Sequence, residues 1–231
     1  MKCILGGVSV QGLHDVNQDS FQYSDFGFGQ ILVLSDGLGS RKHSDVGSRS
    51  FCNCVVELAK ETRCSVEAYG DINGFLAEIH RRWLASLDGH EVKDCYCTAL
   101  FVMIKSGLYI SAHLGDGVIV VMADGEAHVS LEEKESFSNI TNALTENFVL
   151  EDWCVEKCNF DVMEGVYLSS DGVELKEYKD TLYADFARDF CMGYEGMSCD
   201  DIESHIKDWL IDWPSNDDKT IVFLISEQLG D

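Results

Sequence analysis

Thr98–Val129 reads TALFVMIKSGLYISAHLGDGVIVVMADGEAHV. The segments Thr98 to Ile104, Leu108 to Leu114, Val118 to Met122 and Glu126 to Val129 read as strands. They are broken at Ser106-Gly107, Asp116-Gly117 and Asp124-Gly125, dipeptides that supply tight turns. The spacing predicts four consecutive strands in an antiparallel meander. Such strands need one covered face, so amphipathic helices must lie elsewhere in the chain.

Upstream, Ile31-Leu32-Val33-Leu34 follows the glycine-rich turn Phe26-Gly27-Phe28-Gly29 and stops at Ser35-Asp36-Gly37, which reads as a buried strand. From Ser44 to about Lys60 the apolar residues recur at helical spacing, with Ser44 as the expected N-cap. A second helical pattern covers Ile72 to Leu87, where Phe75, Leu76, Ile79, Trp83, Leu84 and Leu87 share a face. Downstream of the meander comes a mostly polar stretch with weak helical character. Val166-Tyr167-Leu168 then leads into Ser169-Ser170-Asp171-Gly172, helical patterns run over residues 181–190 and 200–212, and Thr220 to Ile225 closes as a strand.

At 231 residues, 45% hydrophobic and with a single proline, the chain suits one domain over residues 1–231. Its formal charge of −24 is spread from end to end. That excludes the clustered basic footprint nucleic acid requires, so no nucleic-acid partner is expected. No signal-like or membrane-length apolar stretch is present, which predicts a soluble, cytoplasmic protein with no membrane association. The ten cysteines include no CxxC knuckle. They are expected to be reduced thiols, mostly buried as small hydrophobes.

Val33-Leu34-Ser35-Asp36-Gly37 and Tyr167-Leu168-Ser169-Ser170-Asp171-Gly172 share a layout: a strand delivers an aspartate at its end, and a glycine turns the backbone away. Asn216-Asp217-Asp218-Lys219-Thr220 adds acidic residues at the start of the last strand. If these strands are neighbours, three carboxylates meet at one rim. Unpaired carboxylates repel and are costly to desolvate, so such a cluster makes sense only around cations. Hard oxygen ligands suit Mg2+ or Mn2+. Two such ions about 3.5–4 Å apart can activate a water between them and clamp a phosphoryl group for in-line attack. An Asp-Gly pair by itself marks an ordinary turn, and Asp124-Gly125 is read as just that.

The ordered set Gly12-Leu13-His14-Asp15-Val16-Asn17-Gln18-Asp19-Ser20, Val33 to Gly39, Thr98-Ala99, Gly115-Asp116-Gly117, Ser170-Asp171-Gly172 and Asp217-Asp218-Lys219-Thr220 resembles the metal-dependent protein phosphatases of type 2C, in their compact bacterial branch. The resemblance spans about residues 8–226. It implies an α+β fold, a four-layer αββα sandwich of two antiparallel sheets flanked by helices. It also implies a serine/threonine phosphatase that hydrolyses phosphomonoesters by attack of a metal-bridging water. Carried over by position, Asp36 and the carbonyl of Gly37, with Asp171 and Asp217, would hold two Mn2+ or Mg2+ ions. Asp116 would match the position that helps hold a third, weaker ion in some members. Gln18 and Asp19 would bond metal-bound waters and orient ligands. The implied substrate is a phosphoserine or phosphothreonine protein, paired with a cognate kinase in bacterial signalling.

Three positions depart from the pattern. His14 stands where many members carry a phosphate-gripping arginine; it lacks the bidentate fork and is charged only at lower pH. Gln18 replaces a usual glutamate, removing a negative charge near the metals. Leu38 occupies the place of a histidine proposed as general acid in animal members, so solvent or a metal-bound water must protonate the leaving group. Arg41-Lys42-His43 follows the Asp36 loop and is either a solvated basic run or a phosphate-steering one, in which Arg41 contacts the substrate. Two alternatives stay open: a weakly active or regulatory pseudophosphatase that binds phosphoproteins, and a non-enzymatic divalent-cation-binding interaction module.

Overall fold

The computed structural model describes residues 2–132, 141–175 and 179–227, the side chains of residues 2 and 227 excepted. One sheet has the order β1 (Lys2–Val10), β10 (Lys219–Glu227), β9 (Met163–Ser169), β6 (Val118–Ala123) and β7 (Glu126–Leu131). The other runs β2 (Asp19–Asp25), β3 (Gln30–Asp36), β4 (Ala99–Lys105), β5 (Leu108–Leu114) and β8 (Cys154–Asn159). All pairings are antiparallel.

Period-2 alternation sorts the strand residues into three apolar layers. Leu32 and Leu34 of β3 meet Val222 and Leu224 of β10 and Val166 and Leu168 of β9 between the two sheets. Ile31 and Val33 face the other way, onto α1 (Ser44–Glu61) and α2 (Ile72–Ala85). Ile221, Phe223 and Ile225 pack on α3 (Asp180–Gly193) and α4 (Cys199–Ile211). Both faces of the central strands are therefore dry, which is why those strands read as continuous apolar runs. The result is the expected αββα sandwich.

Three expectations need correction. The four strands from residue 98 onward are not one meander: β4 and β5 pair in one sheet, and β6 and β7 in the other. The chain crosses between sheets at Gly115-Asp116-Gly117, where both glycines have positive φ, 96° and 118°. There a Cβ on Gly115 would lie 2.5 Å from the Asn142 carbonyl oxygen. The turn at Asp124-Gly125 is, as read, an ordinary hairpin, between β6 and β7.

Ser44 does not cap α1. The N-cap is His43, with no side-chain bond, and Ser44 is buried beneath Gly37, whose added Cβ would meet Ser44 atoms at 2.7 Å. The polar stretch read as weakly helical contains the edge strand β8. Residues 133–140 of that stretch lie outside the described residues. All ten cysteines are free, and among the described residues no helix is long and apolar enough to cross a membrane.

Candidate metal centre

Asp36 ends β3 and is fixed by its neighbour strand. Its N–H donates to Thr98 Oγ1 at 2.9 Å, and its carbonyl accepts from Thr98 N at 2.7 Å. The register of β2 on β3 sets Asp19 opposite Asp36. Gly37 then turns away, its N–H donating to the Gln18 carbonyl at 3.1 Å. Asp171 follows β9 directly, and Gly172 after it leaves room for the Asp218 carbonyl oxygen, which an added Cβ would meet at 1.9 Å. Asp116 sits on the crossover between the sheets, its Oδ2 accepting from Thr141 Oγ1 at 2.8 Å.

These three come together: carboxylate oxygens of Asp36, Asp116 and Asp171 lie within 4.8 Å of one another. They line a cavity of about 150 Å3 with Gly37, Leu38, Gly39 and Asp217. Asp217 stands at its mouth, with a side chain 47% exposed, outside that group of three. Its Oδ1 accepts from Asp218 N at 2.9 Å and lies 3.5 Å from His14 Nε2. Asp116, expected at a weaker third site, is grouped with the two central carboxylates, whereas Asp217 is not.

Burial, followed by the charges of Asp19, Asp171 and Asp217, pushes Asp36 well above the usual carboxylate range. Asp171 is raised to about 7, by burial first and then by Asp116 and Asp217. Asp19 is raised to about 6 by burial, against the lowering effect of hydrogen bonds from Thr220 and Ser170. Those hydroxyls donate to Asp19 Oδ2 at 2.6 and 2.8 Å. Asp19 Oδ1 and Asp171 Oδ1 are buried, and among the described residues neither meets an N–H or hydroxyl donor. Acceptors without donors beside mutually repelling carboxylates are what a hard divalent cation satisfies, so the donor set fits Mg2+ or Mn2+.

The remaining candidates are placed as follows. His14 is 42% exposed, beside Asp217 at the mouth. Gln18 acts in this structure through its backbone: its N–H donates to Asp218 Oδ2 at 2.6 Å, and its carbonyl also accepts from Ser48 Oγ at 2.6 Å. Arg41 does not line the carboxylate cavity; it stacks on Tyr96 and faces an adjoining one. Sequence reasoning gave no role to Thr98, Ser170, Thr220 or Asp218. Ser170, next to Asp171, and Thr220, two residues after Asp218, carried a local signal as hydroxyls near acidic residues; Thr98, 62 residues from Asp36, carried none.

Solved structures share the αββα sandwich. The catalytic domain of serine threonine protein phosphatase PstP in complex with two manganese ions is 16% identical, covers 98% of this chain and 99% of its own, and superposes with a TM-score of 0.71. Serine/threonine phosphatase Stp1 from Staphylococcus aureus is 17% identical over 99% of this chain and 96% of its own, with a TM-score of 0.69. RsbX in complex with magnesium is 14% identical over 95% and 92%, with a TM-score of 0.63. No curated protein sequence matches the chain. The protein phosphatase 2C profile matches residues 7–211, and the chain belongs to that family.

Proposed function

We propose that the protein is a metal-dependent serine/threonine protein phosphatase acting as a single domain over residues 1–231. The observation that carries this reading is the convergence of Asp36, Asp116 and Asp171, with two buried carboxylate oxygens that meet no N–H or hydroxyl donor among the described residues. Asp36, the Gly37 carbonyl, Asp171, Asp217 and Asp116 hold two or three Mn2+ or Mg2+ ions. Bound there, the ions supply the activated water and the charge that stabilises the phosphoryl group. Thr98 fixes the Asp36 backbone, and Asp19, itself held by Ser170 and Thr220, orients the cluster from behind.

His14 stands at the mouth beside Asp217, and the buried Gln18 bonds metal-bound waters from behind. Leu38 offers no proton, so solvent protonates the departing serine or threonine oxygen. The substrate is a phosphoserine or phosphothreonine protein supplied by a cognate kinase in the cytoplasm. A second reading, a regulatory relative that binds phosphoproteins without turnover, is favoured by one observation: His14 lies against the Asp217 carboxylate instead of being free for phosphate.

The two separate in one experiment. Manganese-dependent hydrolysis of an aryl phosphate and a phosphoserine peptide is expected for wild type, with a fall of at least about 100-fold in Asp36→Asn. Hydrolysis unaffected by Asp36→Asn would refute the site. Manganese binding without turnover would favour the regulatory reading.

A further inference from the structure

A second cavity of about 580 Å3 adjoins the carboxylate cavity, and Leu38, Gly39 and Thr141 line both. Among the described residues Arg41 is the one Arg or Lys side chain in its wall. The guanidinium carbon sits 4.5 Å from the Tyr96 ring centroid, and the Tyr96 hydroxyl donates to Glu146 Oε2. Stacking covers one face of a guanidinium and leaves its in-plane N–H donors for an anion.

Among the described residues those donors make no hydrogen bond or ion pair. Arg49, Arg81, Arg82 and Arg188 each hold a carboxylate, whereas among the described residues none pairs with Arg41. Arg41 Nε is buried without an acceptor. In a chain with 41 acidic side chains against 17 basic ones, only Arg41 and Arg63 of the arginines hold no carboxylate among the described residues, each stacked on a ring instead. Of the two only Arg41 lines the cavity beside the carboxylate cluster, with Glu146, bonded to Tyr96, near enough to feel its charge. Its position in the adjoining cavity separates it from the carboxylate cluster, so it does not serve the phosphate being hydrolysed there.

We propose that Arg41 and Tyr96 form a specificity subsite for a second anionic group on the substrate, carried within about three residues of the phosphoserine or phosphothreonine. The group is an acidic side chain or a second phosphoryl, either of which takes the guanidinium edge in a bidentate bond. This rests on the phosphoprotein reading above. Arg41 is a specificity-determining residue and takes no part in bond cleavage. The preference it confers opposes the repulsion that the acidic protein surface exerts on an acidic peptide, so it is strongest where the contact is direct and short-ranged.

The test uses the full chain with manganese and fluorescent thiophosphoserine peptides whose neighbouring positions carry glutamate, phosphoserine or alanine. Fluorescence anisotropy reads affinity and needs no turnover. Wild type is expected to bind the best-placed acidic or doubly phosphorylated peptide roughly 10-fold tighter than the alanine peptide. The ratio should fall to about 1 in Arg41→Gln and recover partly in Arg41→Lys, which keeps charge without the fork. A preference for both anions, or for the second phosphoryl alone, supports the subsite and distinguishes its occupant. An unchanged ratio in Arg41→Gln overturns it. So does an equal loss on all peptides, which would return Arg41 to the scissile phosphate. A chain that hydrolyses nothing yet shows the Arg41-dependent ratio would sink the phosphatase reading and leave the subsite standing.

Discussion

Asp218 accepts from the backbone N–H of Gly12 at 2.7 Å and of Gln18 at 2.6 Å, tying the loop that carries His14 to the start of β10. Both carboxylate oxygens are used, and the residue is 2% exposed. Asp218→Ala should therefore cost about 2–4 kcal/mol in urea unfolding, because it leaves two N–H donors unmet. Asp218→Asn should do no better, since its amide nitrogen would face one of those donors. Full stability in the asparagine variant would contradict the assignment. Nothing local in the sequence points to Asp218, because its partners lie 206 and 200 residues away. Asp36 and Asp171, by contrast, were legible because strand, aspartate and glycine are neighbours in the chain.

His113 makes a different residue-scale prediction. It is 2% exposed, its Nδ1 meets Ser130 Oγ at 3.0 Å, and among the described residues its Nε2 makes no well-formed hydrogen bond. Burial holds it down to about 4. The unfolded chain takes up this proton near the ordinary value, about 6.5, so the stability from a neutral His113 is complete above that pH and is lost as pH falls toward 4. Between about pH 7.5 and pH 5 the loss amounts to about 2 kcal/mol. Carboxylates change wild type and His113→Gln alike, so the difference between the two urea profiles isolates the histidine. Parallel profiles would show that the ring is not held neutral.

At the scale of elements, helix α1 approaches the segment before β4 so closely that a Cβ on Gly47 would lie 1.8 Å from the Cys95 carbonyl oxygen. The Gly47 carbonyl also accepts from Trp83 Nε1 of α2 at 3.0 Å. Helix propensity alone favours alanine over glycine by about 1 kcal/mol. Here the contact wins: Gly47→Ala should destabilise by about 2 kcal/mol or more, as α1 is pushed from its sheet. Gly193, at the end of α3, has open space around it, so Gly193→Ala should be neutral or stabilising by up to about 1 kcal/mol. Thermal unfolding of the pair checks the sign in each case.

Helices and buried strands were readable because their apolar periodicity is long and regular, as with Phe75, Leu76, Ile79 and Trp83, all fully buried on α2. The sheet assignment was not. Asp116-Gly117 and Asp124-Gly125 have the same turn chemistry, yet one crosses between sheets and the other closes a hairpin. What separates them is the packing of Gly115 against Asn142 and of Gly117 against Ser169, contacts invisible to local sequence. The edge strand β8 escaped notice because Cys154-Val155-Glu156-Lys157-Cys158-Asn159 has no run of apolar residues.

At the scale of the whole molecule, the candidate metal centre is where the two sheets meet. Asp36 comes from the sheet against α1 and α2, Asp171 and Asp217 from the sheet against α3 and α4, and Asp116 from the crossover joining them. Without cations this rim is a line of mutual repulsion between layers; with them it is a clamp. On the proposed reading, manganese at about 100 times its dissociation constant should stabilise the chain by about 2.7 kcal/mol, and chelation should remove that gain. Asp36→Asn removes a carboxyl that the metal-free fold must hold either repelled or protonated, so its metal-free form should be more stable than metal-free wild type by about 1–3 kcal/mol, while losing most of the manganese-dependent rise. The two effects have opposite signs in one variant, which a merely damaged fold cannot reproduce. Thermal melts of both chains in manganese and in chelator read them together. A metal-free Asp36→Asn less stable than wild type would mean that the carboxylates are held by interactions within the chain and not by cations.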